Sequence, residues 1–589
     1  MAPLAAFAVS ASAATAIPAG GRDVLDADAL ERAVLTGGKE RVRGEVIDTP
    51  HGRGWRVELL DDKAGPFQIQ LRAPVVREVK QGDKMLLTFQ ARCVPGSTAD
   101  GKGGARVVVE IKDPPDYTKL GQDAFEVGAA WETMFIPFPA NATWKDGATH
   151  AILMPGGRRQ TLELAALRLI DYGPDFPMEK LPRPYLHYPG RDDDAPWRKE
   201  ALERIERIRT TDLVVEVTDA TGKPVSDARV GVALKRHQFG FGAAVKAKLL
   251  MGADARVAKY REMVDANFSR IVLENDLKPF GWEAGRSNSG MEFRNEWSVG
   301  ALKWAQDRGM SVRGHYLCWG PWEKWSEELK SDPKMIRRRV MSHLEDVIAG
   351  AGRYVNEWDA VNHPVGWESP RNTVDRVISP QFYADVINAA RKRVKVPLFV
   401  NEDQVFREGR QQDEYFQAIE TLIQQGAKPH GIGNMAHFHS SFLPAPTEML
   451  RISDRFAKLV SNLEITEFDV ITNGDEDLQA DWLRDCLIMA YSHPAYSGFM
   501  LWVFWEGAGW KPEAALWRKD WSEKPNAKVW RDLVWDRWAT KTGGATGDNG
   551  AWSARGHEGL YEITVEKDGK RATSTHRFLK NGKPARVTW

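Results

Sequence analysis

The sequence predicts a multidomain chain centred on a (β/α)8 barrel of the TIM type, preceded by an all-β sandwich and followed by a small β module. Three observations predict it. Residues 237–538 alternate strand and helix patterns eight times, as an eight-stranded parallel barrel requires. Residues 23–173 read as strand after strand between Gly, Pro and Asp turns, the pattern of an antiparallel sandwich. Residues 539–589 return to β pattern in "GLYEITVEKDGK" and "STHRFLKNGKPARVTW". At 589 residues the chain exceeds what one core supports.

Taken in order, residues 1–22, "MAPLAAFAVSASAATAIPAG" and the two after it, resemble the apolar and small-residue parts of a secretory signal, with "ASA" as a cleavage-like site and no basic n-region. They predict a secreted or periplasmic protein. The sandwich strands are "GWRVELL", "FQIQLRA", "KMLLTFQARCV", "ARVVVEI", "WETMFIPF" and "QTLELAALRLIDYG". Trp55 and Trp131 fall in or beside these runs and read as core residues. Residues 174–209 form a Pro-rich join, the charge run "RDDDAPWRKE" and a short helix, "WRKEALERIERIRT". The barrel domain, 210–538, opens with a predicted hairpin turning at Gly222-Lys223-Pro224.

Eight strand candidates follow: "QFGFGAAV", "FSRIVLEN", "MSVRGHYLCW", "NEWDAVNH", "VPLFVNED", "HGIGNMAHF", "NLEITEFDV" and "GFMLWVFW". Amphipathic segments such as "PKMIRRRVMSHLEDVIAG" and "SPQFYADVINAARKRV" separate them.

Lys plus Arg equals Asp plus Glu at 81 each, so charge gives no reason for a nucleic-acid partner or an anionic membrane surface. No run of about 20 apolar residues follows the N-terminus, so no membrane span is expected. Three scattered cysteines, Cys93, Cys318 and Cys486, support neither a disulfide framework nor a metal cluster. Trp is frequent, at 23 residues. Indole rings stack on the apolar faces of sugars, and they are also ordinary core material.

In such a barrel the C-terminal ends of the strands meet in one mouth. They deliver Glu274 and Asn275; His315 and Trp319; Asn362 and His363; Asn401, Glu402 and Asp403; His437; Glu467 and Asp469; then Trp502, Trp505, Glu506 and Trp510. A lone strand-end Glu is more often solvated or ion-paired than catalytic. Seven successive strands ending in carboxylates, amides, imidazoles or indoles are not a packing requirement. Carboxylates and Trp without clustered metal ligands or a phosphate-binding Gly loop suit glycoside chemistry, which needs an anionic nucleophile or base, a proton donor and hydroxyl-binding groups.

The region 210–538 resembles glycoside hydrolase family 10, the xylanase family. "ENDLK" is similar to its Glu-Asn-x-x-Lys, "VRGHYLCW" to Arg-Gly-His-x-Leu-x-Trp, "GIGNMAH" to Gly-Ile-Gly-x-Gln-x-His and "ITEFD" to Ile-Thr-Glu-Leu-Asp. "LWVFWEGAGW" follows Trp-Gly-x-x-Asp-x-x-Ser-Trp loosely, and "EKPNA" resembles its closing Lys-Pro-Ala. The N-terminal sandwich resembles, more weakly, the jelly-roll carbohydrate-binding modules often joined to such barrels.

The resemblance implies a retaining glycosidase of endo-1,4-beta-xylanase type, monomeric and without cofactor or metal. Glu467 is its nucleophile. Glu274, Asn275, Lys278, His315, Trp319, Asn362 and His437 contact sugar or orient the nucleophile, and Trp502 and Trp510 serve as platform and roof. Packing at the barrel end accounts for the Trp pair equally well.

Three positions depart. The family's Trp-Asp-x-Val-Asn-Glu ends in the general acid/base, and this chain reads "WDAVNH", with His363 in that place. The family's Trp-His is Trp319-Gly320, and its Gln before the strand-six His is Met435.

Three readings compete. In the first, His363 is the proton donor, since imidazole titrates near neutral pH and is a competent acid/base. Its reach is shorter than that of Glu, and the retaining mechanism wants its two groups about 5–5.5 Å apart. Glu402 or Glu368 is the substitute donor. In the second, Gly320 and Met435 open apolar space beside the nucleophile for a substituted or anionic polysaccharide. In the third, the barrel binds carbohydrate without cutting it, and His363 closes a strand end by a hydrogen bond.

Overall fold

The computed structural model describes all residues except 1–15, 61–67, 99–100, 102, 112–118, 157–158, 183–187, 254, 288–291, 368–370, 408 and 441. Most of the signal-like segment and Glu368 therefore lie outside the described residues. The chain divides into two compact units. One is built on residues 1–187 with segments 439–443 and 471–478, the other on the remainder.

The first unit is a two-sheet antiparallel sandwich. One sheet runs Val42–Thr49, Gly52–Leu59, Gln160–Asp171, Lys84–Cys93, Glu132–Pro139 in space, and the other Val34–Thr36, Gln70–Val75, Thr149–Met154, Gly103–Ile111, Lys119–Val127. Alternation along Lys84–Cys93 buries Met85, Leu87, Phe89, Ala91 and Cys93 in the core between the sheets. Trp55 packs against that core as expected, and its Nε1 donates to the Leu30 carbonyl at 2.7 Å. Trp131 does not. It sits half-buried between His51, at 5.3 Å, and the Arg92 guanidinium, at 5.1 Å.

In the second unit, eight parallel strands close a barrel: β1 (Gly240–Val245), β2 (Arg270–Leu273), β3 (Ser311–Gly314), β4 (Glu357–Asn362), β5 (Leu398–Glu402), β6 (Gly431–Asn434), β7 (Asn462–Ile471) and β8 (Tyr496–Leu501). Neighbours in sequence pair in order, and β8 returns to pair β1. All eight predicted strands are present. The intervening helices bury one face each. In Pro333–Ala351 the buried positions Ile336, Val340, Leu344, Val347 and Ile348 fall on one stripe, and Asp332 caps the first turn by accepting from the Lys334 N–H at 3.0 Å.

The lower half of the barrel lumen carries charge. Arg270 on β2 reaches Glu357 at 2.8 Å and Glu464 at 2.7 Å. Arg313 on β3 reaches Glu357 and Glu464 at 2.8 Å each and pairs with Asp359. All five are buried. Register shifts in β4 between Asp359 and Val361, and in β7 between Ile465 and Phe468, re-phase these strands. They let Glu357, Asp359 and then Asn362, and Glu464 and then Glu467, all serve the lumen.

The predicted leading hairpin needs correction. Its turn exists: the Asp219 N–H donates to the Lys223 carbonyl and the Val225 N–H to that of Val217. Its two strands do not pair with each other. Thr210–Thr218 lies between Ala551–His557 and Ala585–Thr588 in one sheet, whereas Arg229–His237 lies between Lys541–Ala545 and Gly559–Lys567 in another. Leu213, Val215, Val230, Val232, Ile563 and Val565 form the core these two sheets share. Residues 210–237 thus belong with 541–588, because one face of each strand is apolar and the facing sheet is what buries it.

Candidate active site

The C-terminal ends of the barrel strands bring the predicted residues into one mouth, where they form two hydrogen-bonded groups. Glu467 on β7 anchors the first. Its Oε1 accepts from Asn401 Nδ2 at 2.9 Å, and its Oε2 lies 3.4 Å from His437 Nε2. His437 Nδ1 in turn donates to Asp469 Oδ2 at 2.8 Å. Asp469 also accepts from Trp510 Nε1 at 3.1 Å and Lys511 Nζ at 3.0 Å. Burial pushes the Glu467 carboxyl up, but the His437 hydrogen bond and the cationic surroundings, Lys278 included, overcome it and hold Glu467 at about 2. Burial likewise pushes His437 down, yet Asp469 and Glu467 on either side raise it to about 10. An anion paired with an imidazolium results.

Glu467 contributes stability above its ordinary 4.5, lost as pH falls toward about 2. His437 contributes stability below its ordinary 6.5, lost as pH rises toward about 10. Both contributions are complete between pH 4.5 and 6.5. The drop in Tm caused by His437→Asn is expected to be largest in that window and to shrink toward pH 10. Scanning calorimetry of both proteins across pH checks this, and a pH-independent difference would remove the charge-based account.

Lys278, after β2, donates to Asn275 Oδ1 at 2.9 Å and lies over the Tyr316 and Trp502 rings. Burial lowers its pKa against the raising pull of Glu467, Glu274 and Asp359. Glu274 is buried with Lys246 Nζ 3.7 Å away. His315 Nδ1 bonds Asp359 at 2.8 Å, and burial depresses its pKa, which favours the neutral ring. Trp502 is buried against His315 and closes the barrel top, so it is floor, while Trp510 stands 52% exposed over His437.

His363 anchors the second group. It follows β4 with φ +53°, a left-handed conformation that His tolerates better than most side chains. The Asn401 carbonyl accepts its N–H at 2.8 Å, while Asn401 Nδ2 donates to Asn362 Oδ1 at 2.8 Å. One residue thus ties Asn362, His363 and Glu467 together. His363 Nδ1 bonds Glu402 Oε1 at 2.8 Å, and its ring is flanked by Trp319 at 4.9 Å and Trp367 at 4.4 Å. Trp319 Nε1 is buried without a hydrogen-bond partner among the described residues.

The structure adds residues that the sequence reading did not select. Asn401 and Asp469 appeared among the strand-end residues without a role. Asp359 and Trp367 did not appear; the former is signalled by Arg313-x-His315, one position on β3 and one just past its end, both of which need an acceptor on β4. Among the described residues no group of three or more His, Cys, Asp or Glu could hold a metal ion.

The glycosyl hydrolase family 10 model matches residues 232–532, half of the chain. The chain belongs to glycosyl hydrolase family 10. It is 28% identical over 380 residues to the anti-sigma-I factor RsgI6 of Acetivibrio thermocellus, covering 64% of this chain and 47% of that protein. It is 22% identical over 389 residues to endo-1,4-beta-xylanase 1 of Arabidopsis thaliana, covering 65% and 38%. The chain thus spans less than half the length of these relatives. Native xylanase 10B of Thermotoga maritima superposes with a TM-score of 0.44 at 20% identity, covering 51% of this chain and 97% of that one.

Within this family 10 barrel, two expectations are corrected. Gly320 opens no space: a Cβ there would overlap the His363 carbonyl oxygen and come within 2.8 Å of the Tyr383 hydroxyl. The Gly320 N–H donates to the Asn362 carbonyl, so backbone fills the place of the missing side chain. Met435 is buried, its N–H donating to the Glu402 carbonyl and its carbonyl accepting from the Glu467 N–H, both at 3.0 Å. Gly320 therefore does not enlarge the mouth. Glu402 is 0% exposed and cannot reach a substrate, so it is not a substitute proton donor.

Proposed function

We propose that the family 10 barrel is a retaining glycoside hydrolase that cuts internal β-1,4 linkages of xylan or a related polysaccharide. The observation that carries this reading is the ionised Glu467, held by Asn401 and His437 in a mouth walled by Trp319, Trp367 and Trp510. Unlike Glu464, which two arginines enclose in the lumen, Glu467 lies at the barrel mouth beside His437 and the exposed Trp510.

Glu467 attacks the anomeric carbon as the glycosidic C–O bond breaks. His363, protonated on Nε2, passes that proton to the departing oxygen. The neutral ring then takes a proton from the water that attacks the same carbon, and Glu467 leaves as carboxylate. Asn275, Lys278 and Asn362 orient hydroxyls, and Trp510 supplies a stacking face. The likeness to endo-1,4-beta-xylanase 1 of Arabidopsis thaliana supports xylan as the first polymer to test.

The N-terminal sandwich is proposed to hold polysaccharide on the face carrying Arg92 and Trp131, and the signal-like N-terminus supports export to where such polymers lie. The test is release of reducing ends from neutral and uronate-bearing β-linked polysaccharides between pH 5 and 8, with Glu467→Ala as blank. Release from xylan that vanishes in the blank is expected. Release only from another polymer would change the substrate, and no release from any polymer or activated aryl glycoside would leave a sugar-binding barrel.

A further inference from the structure

We infer that Glu402 is a positioning residue that fixes His363 with its proton on Nδ1 and presents Nε2 to the cleft, making the two a single proton-transfer unit. The inference rests on the glycosidase reading of the same site. It starts from the hydrogen bonds Glu402 accepts. Its Oε1 takes the Asp403 N–H at 2.9 Å and Gln411 Nε2 at 3.3 Å, and its Oε2 takes the Val365 N–H at 2.9 Å. Backbone N–H groups can only donate, and with two N–H bonds already on Oε1 and one on Oε2 a bare carboxylate is the acceptor that fits. The ring nitrogen 2.8 Å from Oε1 must then be the one that carries hydrogen.

Neutral imidazole has one N–H. With that hydrogen on Nδ1, the lone pair is on Nε2, which makes no hydrogen bond to a described residue. Trp319 and Trp367 pack against the ring, and the Asn401 carbonyl holds its backbone, so the ring has little freedom to turn.

The arrangement also separates two roles. Glu402 comes from β5, is wholly buried and never meets substrate. It keeps the Nδ1 hydrogen through both steps. The mobile proton travels only on Nε2: to the glycosidic oxygen in the first step, and from water in the second. A carboxylate behind an imidazole sets its tautomer and stabilises the imidazolium without taking the proton.

The experiment uses the full chain labelled with [15N]histidine, the His363 signals being assigned by their loss in His363→Asn, since Asn also accepts the left-handed backbone. At a pH where the ring is neutral, the expected spectrum has hydrogen on Nδ1 and none on Nε2. In Glu402→Gln the amide competes for the ring nitrogen, and kcat for xylan is expected to fall about 10²–10⁴-fold with KM changed less than about threefold. A ring protonated only on Nε2 in the unaltered chain overturns the inference, as does a Glu402→Gln protein that folds and keeps its kcat. If Glu402→Gln does not fold, the spectrum of the unaltered chain decides alone. Absence of turnover by the unaltered chain would sink the glycosidase reading, while the ring's protonation pattern would still decide whether Glu402 holds His363.

Discussion

Glu467→Gln is expected to lower kcat for xylan by on the order of 10⁴–10⁶-fold, as removal of a covalent nucleophile does elsewhere. The substitution is nearly isosteric. Its amide oxygen can still accept from Asn401 Nδ2, and His437 keeps its bond to Asp469. The loss therefore reports chemistry rather than collapse, and native circular dichroism with a retained cooperative thermal transition, its Tm lowered by the lost Glu467–His437 pairing, checks that it does. KM should move little, because the carboxylate acts on the anomeric carbon in the transition state more than on the bound ground state. A variant that retains a tenth of the rate would move the nucleophile elsewhere.

Arg313→Met is expected to destabilise the barrel by about 3–5 kcal/mol. Arg313 is shared by Glu357, Glu464 and Asp359, all buried, and its removal leaves the last of these with no guanidinium partner. Burial alone would push the Glu464 carboxyl up, but Arg270 and Arg313 together hold it below the usual carboxylate range. Losing one of them exposes the desolvation cost. Asp359 also orients His315 in the mouth, so activity should fall along with stability. Urea unfolding followed on the barrel's own transition measures the effect. A loss below about 1 kcal/mol would mean that the cluster relaxes around the missing cation.

The barrel strands and most of the mouth were legible because both follow short-range rules. Strand and helix periods are local, and residues at the C-terminal ends of parallel strands converge whatever lies between them. Glu467, His437, Asn362 and His363 were found that way. What escaped depends on pairing over long separations. Thr210–Thr218 and Arg229–His237 look like a hairpin because their turn is a good one, yet their partners lie more than three hundred residues away. No local pattern announces that choice.

Gly320 escaped for a related reason. A glycine in place of a polar residue reads as lost contact and open space, whereas here the His363 carbonyl occupies the space. Glu402 was visible at the end of its strand, but only the geometry shows it bound behind His363 and shut off from substrate. A histidine that departs from a family's carboxylate is therefore to be read with the neighbouring strand: the acidic group has not left the site but stands one strand over, behind the ring.

The central claim is that Glu467 is a working nucleophile with a proton donor opposite. The most direct test is incubation of the full chain with an activated aryl 2-deoxy-2-fluoro-β-xylobioside, followed by intact mass and peptide mapping. The fluorine slows both steps, and the activated leaving group removes the need for a proton in the first, so a glycosyl-enzyme should accumulate. The account predicts one fluoro-xylobiosyl adduct, on the peptide that contains Glu467. Turnover of the unfluorinated parent glycoside with no adduct, or with an adduct on another residue, would contradict it.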